Sequence, residues 1–137
     1  MNTMDWQPRL QGRLLETRPL VAEDHDALYA VARDPLIWEQ HPDRERHLPA
    51  GFRRYFDSGI ASGGALAVLE RGALVGCSRF YDFSAAGSSV TIGYTFLARS
   101  CWGRGHNREL KHLMIGYALQ HVALVYFVVG EHNRRSR

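Results

Sequence analysis

Apolar and polar positions along the chain change period several times, and each change marks an element. Leu14 to Leu20 has extended character, and Pro19, which cannot donate to a ladder, predicts an edge strand there. Val21-Ala22-Glu23-Asp24 opens a helix whose early acids complement its dipole. Leu28, Val31 and Ala32 form the buried stripe of that helix, and Asp34-Pro35 stops it. Leu36 to Pro49 carries two prolines and many charges, which reads as loop with room for a single helical turn. A second helix is predicted over Ala50 to Ala61, with Phe52, Tyr55, Phe56 and Ile60 along one face and Ser62-Gly63-Gly64 ending it. Ala65 to Glu70 and Ala73 to Asp82 read as a hairpin around Arg71-Gly72. Both runs are apolar on both faces for part of their length, which places them in the middle of a sheet. Phe83 to Ser89 is a turn of mostly small residues, and Val125 to Val129 is a short apolar run of buried-strand type.

The most informative stretch is Val90 to Val122. Val90, Ile92, Tyr94 and Phe96 alternate, so they are expected on one face of a strand ending at Leu97. Leu110, Leu113, Met114, Tyr117 and Ala118 give the stripe of an amphipathic helix. The loop between them holds Arg99, Gly103, Arg104 and Gly105, and Asn107 is the expected N-cap. A strand, a basic glycine-bearing loop and a helix N-terminus together make a phosphate cradle. Free backbone N–H groups converge there, the dipole favours an anion, and glycine allows close approach.

The chain has 137 residues, enough for one domain with its own core, and residues 1 to about 10 read as a loose lead-in. Hydrophobic residues make up 45% and charged residues 23%, ordinary values for a globular chain. The net charge of +3 suits an anionic cofactor, but the basic residues are too dispersed to predict a nucleic-acid interface. Cys77 and Cys101 show no metal spacing, and the histidines His41, His47, His106, His112, His121 and His132 share no ligand pattern, so no metal is expected. The first residues lack a signal-peptide apolar core, and no apolar run approaches the roughly 20 residues that span a bilayer. A cytoplasmic setting without membrane contact is the expectation.

The run Ile92-Gly93-Tyr94, then Trp102-Gly103-Arg104-Gly105, then Asn107-Arg108-Glu109-Leu110-Lys111 resembles motif A of the GNAT N-acetyltransferase superfamily, most of all its RimJ/RimL-like branch. The resemblance extends to Leu15-Glu16-Thr17-Arg18-Pro19-Leu20, Asp34-Pro35-Leu36-Ile37-Trp38, Gly76-Cys77-Ser78-Arg79-Phe80 and Glu131-His132-Asn133-Arg134-Arg135-Ser136. Against the superfamily loop pattern Gln/Arg-x-x-Gly-x-Gly/Ala, only Gly105 fits, with Trp102 in first place and Asn107 where a small residue is usual. The implied fold is a layered α+β one, a mixed, mostly antiparallel central sheet flanked by helices in the order β-α-α-β-β-β-α-β. The chain stops before the final helix and strands of the family, which predicts self-association, as a homodimer, to cover an open apolar strand edge.

The resemblance also implies roles for particular residues. Acetyl-CoA is the expected co-substrate, its pyrophosphate held by Trp102, Gly103, Arg104, Gly105, His106, Asn107 and Arg108; the plain alternative is an ordinary αβ connection with solvated arginines, Trp102 being a packing anchor. The backbone of Thr95, Phe96 and Leu97 would pair with the pantetheine arm as a further strand. Asn133 and Ser136 fall where the family places an Asn that contacts cofactor or substrate, with a Ser nearby, but they could equally be a capping pair. Trp38, Glu39 and His41 would form one wall of the acceptor site, with Arg79 and Asp82 facing the same cleft. Trp38 could instead pack under a loop with its charged neighbours in solvent. Catalysis would be direct transfer, needing a base and an acid. Glu131, His132, Glu39 and His41 are candidate bases, and Glu131 with Asn133 form the expected catalytic pair. The implied acceptor is a primary amine, on a small molecule or a peptide. The rivals are a catalytically inactive acyl-CoA-binding or oligomerising domain and a basic RNA-associated module.

Overall fold

The computed structural model describes residues 5–39 and 44–127. Its six strands form one sheet in chain order: β1 (Leu10–Gln11), β2 (Glu16–Pro19), β3 (Ala65–Glu70), β4 (Ala73–Ser84), β5 (Ser89–Leu97) and β6 (Leu124–Phe127). Neighbouring strands are antiparallel except β5 and β6, which are parallel. A parallel pair requires a crossover, and α3 (His106–Ala118) provides it. With α1 (His25–Ala32) and α2 (Pro49–Ser62), this is the layered, mostly antiparallel arrangement that the family resemblance implied, with β1 added at its start.

Each face of the sheet buries its own apolar layer. On one face Leu110, Met114 and Ala118 of α3 pack on Leu66, Val68, Val75, Phe80, Val90 and Ile92. On the other, Leu28 and Ala32 of α1 and Phe52, Tyr55 and Phe56 of α2 pack on Ala65, Ala67, Cys77 and Phe96. Alternation along β3 explains the division: residues 65, 67 and 69 serve one layer, 66 and 68 the other. The hairpin turn lies where it was predicted. Arg71 and Gly72 both have positive φ, 52° and 83°, as a two-residue turn matched to strand twist demands. Gly63, at φ 74°, closes α2 in the left-handed conformation.

Several expectations need correction. The β2 run is not an edge strand, because β1 pairs with it through Leu10↔Thr17 and Gln11↔Glu16. Residues 5–10 are docked rather than loose. Trp6 packs against Phe80 and Phe83 with ring centroids 5.1 and 5.6 Å away, and Gln7 Nε2 donates to the Ala65 carbonyl at 2.9 Å. Partial burial of Trp6 against these rings, the Gln7 hydrogen bond and the β1–β2 pairing together hold the segment on the sheet. The first helix begins as a single 3-10 turn, Ala22–Asp24, with α1 following, and Ile60 is 37% exposed rather than part of the buried face of α2.

Candidate functional site

The β5 strand departs from simple alternation at its middle. Cys77 pairs with Phe96 and Arg79 with Gly93, so two steps on β4 oppose three on β5. Tyr94 takes φ 55° in this bulge. The extra residue reverses the facing of the strand, as a one-residue slip must. Val90 and Ile92 therefore face α3, whereas Tyr94 and Phe96 face α1 and α2, which corrects the expectation of a single shared face. Tyr55 on α2 fixes the bulge by donating its hydroxyl to the Tyr94 carbonyl at 2.5 Å. Burial, reinforced by Cys77, raises the Tyr55 hydroxyl well above its ordinary range, and burial lifts the Cys77 thiol to about 11. Both groups stay neutral and keep their protons near pH 7.

Pairing of β6 with β5 covers Ser89 to Ile92 and ends at Phe127 among the described residues. Thr95, Phe96 and Leu97 lie beyond that pairing. Thr95 shares a hydroxyl hydrogen bond with Ser78 at 2.7 Å, Phe96 is buried, and the Leu97 carbonyl accepts the Trp102 indole N–H at 3.1 Å. Trp102 is thus a half-buried anchor at the entrance to the loop.

The loop itself turns through Gly103 at φ 73° and Gly105 at φ 88°. Gly105, not Asn107, is the N-cap of α3, and no side chain caps the helix. The left-handed conformation there favours glycine, and it starts the helix one residue before Asn107. His106, Asn107 and Arg108 form the first turn, whose N–H groups have no acceptor within the helix. Arg104 folds back to donate to the Ser100 carbonyl at 3.0 Å, and Arg108 is exposed. The His106 side chain is fully buried, with Nε2 at 2.8 Å from Glu70 Oε2. That hydrogen bond holds the Glu70 carboxyl below its usual range, and Arg104 and Arg71 add to the effect.

A residue the sequence reading missed secures this region. Glu109, in the first turn of α3, accepts the backbone N–H groups of Arg13, Leu14 and Leu15 at 3.0, 2.8 and 2.7 Å. The loop between β1 and β2 is thereby tied over the start of α3. The partners are more than 90 positions apart, and nothing in the local pattern connects them.

The expected acceptor-side residues divide. Arg79 is 4% exposed, donates to Ser58 Oγ at 3.0 Å and stacks 3.8 Å from the Tyr94 ring. Arg46 approaches the same group of rings, 4.8 Å from Tyr55 and 5.6 Å from Tyr94, and Tyr81 meets Tyr94 at 5.1 Å. Arg46 and Tyr81 were not among the expected acceptor-side residues. Trp38 is 1% exposed and donates its indole N–H to the Ala32 carbonyl at 2.8 Å, so the structure places it in the core. Glu39 is exposed, and Asp82 sits exposed at a second bulge with φ 51°. His41, Glu131, His132, Asn133 and Ser136 lie outside the described residues.

Residues 15–137 match the family model described as acetyltransferase (GNAT) domain. Among solved structures, a GCN5-related N-acetyltransferase from Brucella melitensis is similar at TM-score 0.72 and 18% identity over 85% of this chain and 56% of that one. Mycobacterium smegmatis RimJ in complex with CoA-disulfide gives 0.69 at 19% identity over 94% and 68%. PaiA N-acetyltransferase from Thermoplasma acidophilum in complex with coenzyme A gives 0.61 at 13% identity over 88% and 82%. No curated protein sequence matches the chain.

Proposed function

This chain belongs to the GNAT acetyltransferase family, and from that premise we propose that it moves an acetyl group from acetyl-CoA directly to a primary amine. The observation that carries the reading is the uncapped N-terminus of α3, entered through two left-handed glycines beside the end of β5. First-turn N–H groups that have no acceptor inside the helix and the positive end of the helix dipole suit a pyrophosphate, and a Cβ-free approach lets it come close. Relatives in complex with coenzyme A and CoA-disulfide have the same fold, which supports that ligand class.

In the proposed mechanism the pantetheine arm runs along Thr95 to Leu97 as an added strand, placing the thioester at the bulge. The neutral amine attacks the thioester carbonyl, forming a C–N bond and a tetrahedral oxyanion. Backbone N–H groups freed by the bulge stabilise that charge. The C–S bond then breaks, the nitrogen loses its proton to a base, and the coenzyme leaves as thiolate to be protonated. The acceptor enters from the α1–α2 side, past Arg46, Tyr81 and Tyr94. Its amine sits on a peptide N-terminus or a small molecule. Leu124, Tyr126 and Phe127 on β6 are 50%, 55% and 37% exposed, and a homodimer covering them fits this apolar edge.

The test is calorimetric titration of the protein with coenzyme A, followed by a thiol-release assay with acetyl-CoA and a panel of amines. Gly105→Glu places a bulky anion where the pyrophosphate would lie, and is expected to weaken coenzyme A by at least about tenfold, on the anion preference of helix N-termini. Unchanged affinity in that variant would remove the site assignment. Tight coenzyme A binding without thiol release across the panel would instead favour an inactive binding domain.

A further inference from the structure

Three side chains from three separate elements converge behind the α3 loop. Glu70 ends β3, Cys101 closes a 3-10 turn after β5, and His106 opens α3. One ligand atom from each lies within 4.8 Å of the other two. Cys101 is 1% exposed and His106 is fully buried, while Glu70 is partly open to solvent. The His106 ring uses Nε2 for Glu70, and its buried Nδ1 has no hydrogen-bond partner.

We propose that Glu70, Cys101 and His106 form a site for a divalent transition metal of the zinc class, independent of the acyl-transfer reading. The donor set is mixed sulfur, nitrogen and oxygen, which suits zinc and, as a spectroscopic probe, cobalt(II), and does not suit magnesium or calcium. Zinc bonds of about 2.0 to 2.3 Å in tetrahedral geometry need donor atoms roughly 3.3 to 3.8 Å apart, so the three side chains draw closer than their present 4.8 Å limit on metal entry. Metal entry at Nε2 breaks the His106–Glu70 hydrogen bond, leaves the ring proton on Nδ1 and displaces the Cys101 thiol proton to solvent, so that a thiolate, a carboxylate and a neutral imidazole surround the ion. A fourth position remains for water, on the side where Glu70 is open. The Arg104 guanidinium, 3.7 Å from Glu70 Oε2, must swing away, which its 56% exposed side chain permits.

The test uses cobalt(II) chloride titrated into the full-length reduced protein, with zinc chloride competition. One equivalent is expected to give a near-ultraviolet thiolate-to-cobalt charge-transfer band with visible bands of tetrahedral intensity, and zinc is expected to abolish both. Cys101→Ser should lose the charge-transfer band. Glu70→Gln, at a partly exposed position, should weaken cobalt binding by about tenfold or more through loss of an anionic ligand. Zinc should raise the melting temperature of the parent protein and leave that of Cys101→Ser unmoved. Absence of a charge-transfer band in the parent protein, or its survival in Cys101→Ser, would overturn the proposal, and Cys77→Ser serves as the control that must keep the band.

Discussion

Replacing Glu109 by alanine removes the acceptor of three backbone N–H groups at once, one of them on the core residue Leu15. A hydrogen bond to a charged group contributes about 1.5–3 kcal/mol, so simple addition over three would exceed 4 kcal/mol. The Arg13 and Leu14 donors are exposed, however, and water replaces the carboxylate at about 0.5 kcal/mol each. The Leu15 N–H is part-buried and loses more, about 1–2 kcal/mol. The sum is about 2–3 kcal/mol, which for a chain of this size lowers the melting temperature by roughly 6–12 °C. Glu109→Gln retains one carbonyl oxygen but no charge, and should fall between the parent and the alanine variant. Urea unfolding measures the loss, and amide exchange locates it: the N–H groups of Arg13, Leu14 and Leu15 should lose protection in Glu109→Ala beyond the global change. A loss under about 0.5 kcal/mol with unchanged exchange at those amides would refute the claim that this carboxylate ties the loop to α3.

Two further outcomes follow from the packing and the charges. Gly76→Ala sets a Cβ 2.1 Å from the Phe96 carbonyl oxygen, a backbone atom that cannot rotate away, so about 3 kcal/mol or more of stability should be lost in chemical denaturation. Asp24 is 2.8 Å from both terminal nitrogens of Arg18 and also accepts the Val21 N–H; burial would raise its carboxyl, but these bonds outweigh burial and hold it below the usual carboxylate range. Because its folded pKa is depressed, its contribution is complete above the unfolded value near 3.9 and is lost as pH falls through the folded one. Asp24→Asn should therefore cost about 1–2 kcal/mol at pH 7 and flatten the acid limb of the stability profile.

The elements were legible in the chain because their signals are local. Periods of 2 and 3.6, the Arg71-Gly72 turn and the Gly63 stop each depend on neighbouring residues, and they place β3, β4, α1 and α2 to within a few positions. The glycine-bearing loop before α3 was equally visible. Alternation along β5 failed at Tyr94 because a bulge is set by the register against β4, which no pattern within β5 encodes. Asn107 lost the cap to Gly105 because the chain arrives at α3 in a left-handed turn that favours glycine. The Glu109 clamp and the Glu70–Cys101–His106 cluster join elements that are remote along the chain, so neither leaves a spacing motif. Short-range preferences thus name the strands and helices, while contacts across the folded sheet choose which buried polar groups meet. The reason is physical: an isolated segment carries its own backbone and hydrophobic preferences, but a carboxylate or imidazole acquires its partners when packing brings distant segments together.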